Sequence, residues 1–244
     1  MRAMILAAGL GTRLGPLTAD RPKALVEING RSLLEIALAR LRSFGIKDVI
    51  VNVHHFADKV VDHLQAHANF GMNIAVSREE ILLDTGGGLK KTAWFFLQES
   101  NDEPFVVHNV DVLSSIDLER MVEAHRARKA LVTLAVQGRD TSRHLLFDEH
   151  LRLCKRELDG TPGPPSCSQL TPLGFCGVHV ISPRIFALMS EEGVFSIIPA
   201  YLRLAAEGER IVGFRADEYY WRDLGTADSL SQAAHDLQDH ILLQ

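Results

Sequence analysis

Cysteine is scarce. The chain has three in 244 residues, at 154, 167 and 176, an odd number with no C-x-x-C pair. Neither a disulfide framework nor a thiolate zinc site is expected from that pattern. Long apolar runs are missing too: none reaches the roughly 18 residues that a membrane-spanning helix requires. The apolar stretch from Met1 to Ala8 is cut off by Gly9–Pro16 and has no small-residue cleavage site after it, so a cytoplasmic protein without membrane contact is expected. Basic excess is absent as well. Lys and Arg number 26 against 31 Asp and Glu, a formal net charge of -5, which argues against a broad nucleic-acid-binding face but leaves room for a small phosphate pocket. Several catalytic signatures are lacking: no G-x-x-x-x-G-K-[ST], no H-E-x-x-H, and no evident Ser–His–Asp or Cys–His arrangement.

What remains is an ordinary globular composition, 46% hydrophobic and 23% charged, in a chain suited to one large domain. Its first half alternates apolar runs with amphipathic stretches. Strands are expected at 2–7, 48–53, 73–77 and 104–110, and helices at 32–44, 56–68, 89–97 and 118–128, with Gly86, Gly87 and Gly88 lying just before the third helix. Ser32 and Glu35 fit a capping box and Gly45 a helix stop. This rhythm implies a mostly parallel sheet covered on both faces. After residue 130 strands dominate (130–136, 145–147, 151–154, 174–181), with late helices at 196–207 and 226–238 and a Pro/Gly/Ser loop at 161–168 that is expected to be exposed and mobile. No repeat and no linker divides the chain. The expected organisation is one α/β domain over 1–244: a nucleotide-binding half at 1–130, a strand-rich lid at 131–225 and a C-terminal helix at 226–244.

The strongest local feature follows the first strand: Leu6-Ala-Ala-Gly-Leu-Gly-Thr-Arg13, then Arg21-Pro-Lys23-Ala-Leu. Gly9 and Gly11 let backbone N–H groups approach an anion, Arg13 adds a planar fork for phosphate oxygens, and Pro22 stiffens the chain before the point charge of Lys23. A triphosphate needs this density of donors. A dinucleotide fold fits less well, because glycines at 9, 11 and 15 do not make G-x-G-x-x-G and Val53-His54-His55 offers no acid for a ribose.

These residues resemble the sugar-1-phosphate nucleotidyltransferase family, whose L-A-A-G-x-G-T-R-[LM]-x-P-L-T…P-K-x-L loop matches Leu6 to Leu25. The likeness continues in order through Thr85-Gly-Gly-Gly88, Asn109-Val-Asp111, Gly174-Phe-Cys-Gly177 and Trp221-Arg-Asp-Leu-Gly-Thr226. Within the family, the compact length and the T-G-G-G segment are most similar to bacterial N-acetylmuramate 1-phosphate uridylyltransferases and related hexose and heptose enzymes. The resemblance implies a Rossmann-like domain with a mixed, mostly parallel sheet and a sugar-binding lid. Its implied partners are a nucleoside triphosphate and a sugar 1-phosphate, its implied cofactor is Mg²⁺, and the state is a monomer or homodimer. Residue by residue, it implies that Ala7, Ala8 and Gly9 line the base and ribose; that Gly11, Thr12 and Arg13 hold the β and γ phosphates; and that Lys23 leans on the α phosphate. Gly86 and Gly87 would present backbone groups to the nucleobase, Asp111 and Asp223 would bind the metal, and Asn109, Gly177 and Thr226 would border the sugar. Arg13, Lys23 and Asp111 form the implied catalytic set.

Two positions depart from the family pattern. Val110 stands where the family usually has glycine before the metal aspartate, and its Glu-Lys sugar pair has no clear counterpart, Lys155, Arg156 and Glu157 being candidates. Other chemistry-bearing residues read as structural. His63 and His67 share a helix face without a third ligand; His108 and the Trp94-Phe-Phe96 run read as core; Cys154 and Cys176 read as inert thiols. His54, at the ligand end of a strand, and Arg143, in a turn of the lid half, are secondary candidates for base, sugar or acceptor contacts.

Overall fold

The computed structural model describes residues 1–98, 102–157 and 169–238. The expected loop at 161–168 and Cys167 lie outside the described residues. In chain order the elements are β1 (Arg2–Leu6), β2 (Glu27–Ile28), β3 (Arg31–Ser32), α1 (Leu33–Ser43), β4 (Asp48–Val53), α2 (Ala57–Ala66), β5 (Asn73–Arg78), α3 (Asp84–Lys91), α4 (Ala93–Phe96), β6 (Phe105–Asn109), β7 (Val112–Ser114) and α5 (Leu118–Ala127). The second half adds β8 (Val132–Gln137), β9 (His144–Phe147), β10 (Leu153–Arg156), β11 (Thr171–Ile181), α6 (Ile185–Leu188), α7 (Ile197–Ala206), β12 (Ile211–Arg215), β13 (Trp221–Asp223) and α8 (Ala227–Gln238).

A mixed sheet organises the domain in the order β10-β9-β11-β6-β1-β4-β5, with β8 on β11 and β12 on β8. Strands β1, β4, β5 and β6 are parallel, as the strand–helix rhythm required. β1 is central, and its alternation feeds two cores. Ala3 and Ile5 face the side of α1 and α5, where Leu38 and Met121 are buried; Met4 faces Leu89, Val107 and Tyr201 on the other side. Helix α1 begins as its sequence dictates, with the Ser32 hydroxyl accepting from Glu35 N at 3.1 Å, a cap worth about 1 kcal/mol. Gly45, at φ 72°, ends it.

The second half turns antiparallel at β11. Its end, Val178–Ile181, pairs with β6, while its beginning, Thr171–Gly174, pairs with β9. The register breaks between Phe175 and His179, where Gly177 has φ 72°. A bulge at that point lets one long strand serve two partners.

Three expectations change. Gly86, Gly87 and Gly88 do not precede a helix; they lie inside α3, where close packing outweighs their poor helix propensity. The expected 89–97 helix is split, and Trp94 is 52% exposed while Phe95 and Phe96 are buried. Cys154 is disulfide-bonded rather than an inert thiol, whereas Cys176 is free and buried.

Candidate active site

Three parallel strands, β1, β6 and β4, end at one cleft of about 450 Å³, lined among others by Ala8, Gly9, Lys23, Asn52, Asn109 and Asp111. That size suits a small-molecule ligand, and the carboxyl edge of an open α/β sheet is where ligands bind.

The loop after β1 is shaped by Gly11. Its φ is 68°, and a Cβ there would lie 2.9 Å from Lys23 Cβ and 3.0 Å from Thr18 Cγ2. Only glycine serves both the backbone and the packing. Leu14 N then donates to Gly11 O at 2.9 Å, closing a tight turn that starts at Thr12. Gly9 has open space around it. Ala7 and Ala8 are buried at the end of the strand.

Lys23 is 6% exposed, and its ammonium pairs with Asp111 Oδ2. Arg13 Nη1 lies 3.7 Å from Asp223 Oδ1, and its side chain stays largely exposed. Asp111 and Asp223 are 112 positions apart in sequence, yet β13 pairs with β7, setting Asp223 opposite Val112, and Leu224 N donates to Asp111 O at 2.8 Å. This two-stranded ribbon sets the two backbone segments side by side; Asp111 lines the cleft, and Asp223 is not among the lining residues. Gly225 N donates to Asp223 Oδ1 at 2.9 Å, and a Cβ on Gly225 would lie 2.5 Å from both Arg13 Nη2 and Asp223 Oδ1.

Val110 fits this frame. Its N–H donates to Leu6 O at 3.1 Å, its side chain joins the core, and its φ is outside the left-handed region, so the position does not call for glycine. Asn109 lines the cleft, and its Nδ2 would meet a Cβ on Gly177 at 2.9 Å, so these two candidates are adjacent. Thr226 is spent differently. Ser229 N donates to its hydroxyl at 3.2 Å, so Thr226, and not Asp223, caps α8.

Gly86 and Gly87 are not brought to the cleft. Their N–H groups donate to Phe195 O at 2.9 and 3.2 Å, and a Cβ on Gly86 would lie 2.3 Å from the Phe195 ring. These glycines let α3 pack on the segment before α7. The residues of this stretch that line the cleft are Leu82, Asp84 and Thr85, facing Val194.

Other candidates are settled by their partners. His108 is buried with Nδ1 2.7 Å from Asn109 O, and burial pushes its pKa down to about 4, as befits a neutral core histidine. His54 Nδ1 lies 2.9 Å from Glu79 O. His63 Nε2 meets Ser32 Oγ at 3.1 Å and His67 stacks on Phe70; among the described residues no group of three His, Cys, Asp or Glu side chains could hold a metal. Arg143 is exposed in a turn. Glu157 pairs with His144 Nδ1 at 2.7 Å across β9 and β10, while Lys155 and Arg156 have intermediate exposure.

Sequence reasoning missed four side chains here. Asn52 and Glu79 are buried at the ends of β4 and β5. A polar residue inside an apolar strand was the available signal for Asn52; Glu79 looked like one more loop acid. In the lid half, Trp221 Nε1 donates to Cys176 O at 2.8 Å, and Arg139 lies 4.1 Å over the Trp221 ring while Nη2 donates to Phe175 O.

The profile of the Nucleotidyl transferase family matches residues 2–145. An N-acetylmuramate alpha-1-phosphate uridylyltransferase of Caulobacter vibrioides is 36% identical over 232 residues, covering 91% of each chain. One of Neisseria meningitidis serogroup B is 31% identical over 241 residues, covering 96% of each. The crystal structure of HddC from Yersinia pseudotuberculosis complexed with GMP-PN has the same fold, with a TM-score of 0.76 at 22% identity, covering 97% of this chain and 99% of that one.

Proposed function

This chain belongs to the Nucleotidyl transferase family, and from that premise we propose that it transfers the uridylyl group of UTP to N-acetylmuramate 1-phosphate and releases pyrophosphate. The single observation that carries the reaction is a pair of cation–carboxylate contacts, Lys23 with Asp111 and Arg13 with Asp223, on segments that the β7–β13 ribbon joins beside the carboxyl end of β6. The choice of UTP and of this sugar is supported by two full-length relatives above 30% identity whose names state that activity.

In this reading a phosphate oxygen of the sugar attacks the α phosphorus, the bond to the bridging β oxygen breaks, and pyrophosphate leaves. The attacking oxygen is already anionic, so no general base is needed; the barrier lies in bringing negative groups together in line. Lys23, held in a nearly dry position, offsets charge on the α phosphate. Arg13, exposed at the mouth, receives the β and γ phosphates together with the N–H groups around Gly11 and Thr12. Asn109 and Gly177 border the acceptor. The donor set also fits Mg²⁺: Asp111 and Asp223, hard carboxylates on two segments joined by one ribbon, would hold the ion. Bound there, the ion supplies charge neutralisation on the phosphates. On this reading the reaction belongs in the cytoplasm, feeding cell-wall nucleotide-sugar synthesis.

A guanylyl- or thymidylyltransferase acting on another hexose or heptose phosphate is the second reading, favoured by full-length similarity to a heptose 1-phosphate guanylyltransferase, 27% identical over 99% of this chain. A third reading, a non-catalytic nucleotide-sugar-binding regulator, would rest on the departure at Val110, which has no positive φ. Pyrophosphate release decides among them, measured for each common nucleoside triphosphate against a panel of sugar 1-phosphates, with Mg²⁺ and with chelator. Release restricted to UTP and N-acetylmuramate 1-phosphate is the expected result. Release with another pair overturns the substrate assignment, and none with any pair overturns the reaction.

A further inference from the structure

The parallel ladder between β1 and β4 ends at Leu6 opposite Asn52. The next amide, Ala7 N, is buried, and a buried N–H needs an acceptor. It finds the Asn52 side chain: Ala7 N donates to Asn52 Oδ1 at 2.8 Å. The other end of the same carboxamide donates to Glu79 Oε1 at 2.7 Å, and Leu83 N donates to Glu79 Oε2 at 2.9 Å. One polar chain therefore ties the first residue of the phosphate loop to the start of α3, where Asp84 and Thr85 line the cleft. Asn52 is 2% and Glu79 5% exposed, and among the described residues Glu79 has no cation partner. What offsets the carboxylate is the pair of N–H donors it accepts from, Asn52 Nδ2 and Leu83 N at the amino end of α3. Gly88 leaves the necessary room: a Cβ there would lie 2.8 Å from both Asn52 Nδ2 and Glu79 Oε1.

We infer that Asn52 and Glu79 are positioning residues for the nucleotide: they set the gap between the phosphate loop at Ala7 and the cleft wall at Leu83–Thr85, and so act on nucleoside triphosphate capture and not on the sugar. This rests on the reaction proposed above. Every contact in the chain joins one donor to one acceptor, which makes the pair testable by exchange. Glu79→Gln places an amide donor against Asn52 Nδ2 or Leu83 N. Asn52→Asp sets two carboxylates face to face. The double variant restores the pattern. Ala7 N and the new carboxamide N–H at position 79 then donate to the new carboxylate at position 52, and Leu83 N donates to the carboxamide oxygen at position 79.

The experiment measures KM for UTP and for the sugar 1-phosphate, kcat, and the melting temperature, for the wild type, each single variant, the double variant and Gly88→Ala. Each single variant and Gly88→Ala are expected to raise KM for UTP by roughly ten-fold, to leave KM for the sugar within about two-fold, and the double variant to recover most of the loss. An unchanged KM for UTP in a folded single variant overturns the inference, as does equal loss for both substrates or a double variant no better than the worse single. Should the singles fail to fold, Gly88→Ala and the double variant decide on the same criteria. Should the wild type release no pyrophosphate, the reaction reading fails separately, and calorimetric titration with UTP and Mg²⁺ replaces KM. Weakened binding in the singles and its recovery in the double then support the positioning role, and equal affinity overturns it.

Discussion

The two halves of the sheet hold their site candidates by different means. In the first half, site residues stand at the ends of parallel strands and are held by buried polar contacts: Lys23 on Asp111, Asn52 on Ala7 and Glu79. In the second half, Gly177 sits at a bulge in β11 with side chains laid over it, Trp221 bound to Cys176 O and Arg139 stacked on Trp221. A parallel strand end is fixed by the whole βα frame, whereas a bulged antiparallel strand is fixed by local register. On the reaction proposed above, the difference makes the first half a rigid nucleotide side and the second an acceptor side set by local register. Substitutions in one half and then the other put that division to the test.

The sharpest contrast is in turnover. Asp111→Asn and Lys23→Ala are each expected to lower kcat by about 10³-fold, since each removes charge where phosphate charge develops and leaves its partner uncompensated. Arg139→Ala, in the other half, is expected to act mainly on KM for the sugar. Pyrophosphate-release kinetics on the three variants check this; a comparable loss of kcat in Arg139→Ala would dissolve the contrast.

Acid should strike the seam between the halves. β6 and β11 pair with His108 opposite Val178 and His179 opposite Val107. Burial pushes the pKa of His108 down to about 4 and that of His179 to about 3, from 6.5. Between those values the unfolded chain binds protons that the folded one does not, so stability falls as pH drops below about 6.5 and keeps falling toward pH 4. The loss is expected to reach several kcal/mol. Denaturant melts across pH 4–7 measure it, and hydrogen exchange at β6 and β11 localises it; a flat profile would mean that the seam is not dry.

Two glycines then separate the substrates. Gly11 and Gly177 both have positive φ, and at both a Cβ would lie under 3 Å from a neighbour. Gly11→Ala presses on Lys23, and Gly177→Ala on Val112 and Asn109. Each is expected to cost about 1–2 kcal/mol in backbone strain and to raise one KM by about ten-fold, that for the nucleotide in the first and that for the sugar in the second. Crossed effects, read in the same assay, would show that the cleft responds as one body.

The same contrast explains what could be read from the chain alone. The parallel half was legible because its strands and helices alternate with clear periods, and because Gly9, Gly11, Arg13, Pro22 and Lys23 sit close together in sequence. That the segments of Asp111 and Asp223 lie side by side was implied only by the resemblance, since nothing local announces the short ribbon of β7 and β13. For Gly86 and Gly87 local sequence leaves the matter open, because a run of glycines looks alike whether it faces a ligand or a neighbouring ring; Phe195, far away in sequence, takes their N–H groups. Glu79 was invisible, and Asn52 showed only as a polar residue in an apolar strand, because their partners are backbone N–H groups and each other, which carry no sequence signature.

The smallest expected effect concerns how the lid half is held. His144, on β9, has Nδ1 2.7 Å from Glu157 Oε2 and Nε2 3.1 Å from Arg139 O, and those bonds, to Arg139 O first and Glu157 second, raise its pKa above 6.5. A raised histidine stabilises fully below its unfolded value and loses that contribution as pH rises through the folded value, the opposite sign to the seam histidines. The pair lies near the surface, so solvent screening keeps its worth small. His144→Gln is therefore expected to lower the melting temperature slightly at pH 6 and to match the wild type at pH 8.5. Because Arg139 O is one of its partners and Arg139 stacks on Trp221, KM for the sugar should drift upward with pH in the wild type more than in the variant. Equal slopes in both proteins would mean that β9 and β10 are held by their ladder alone, and that the acceptor side is as rigid as the nucleotide side.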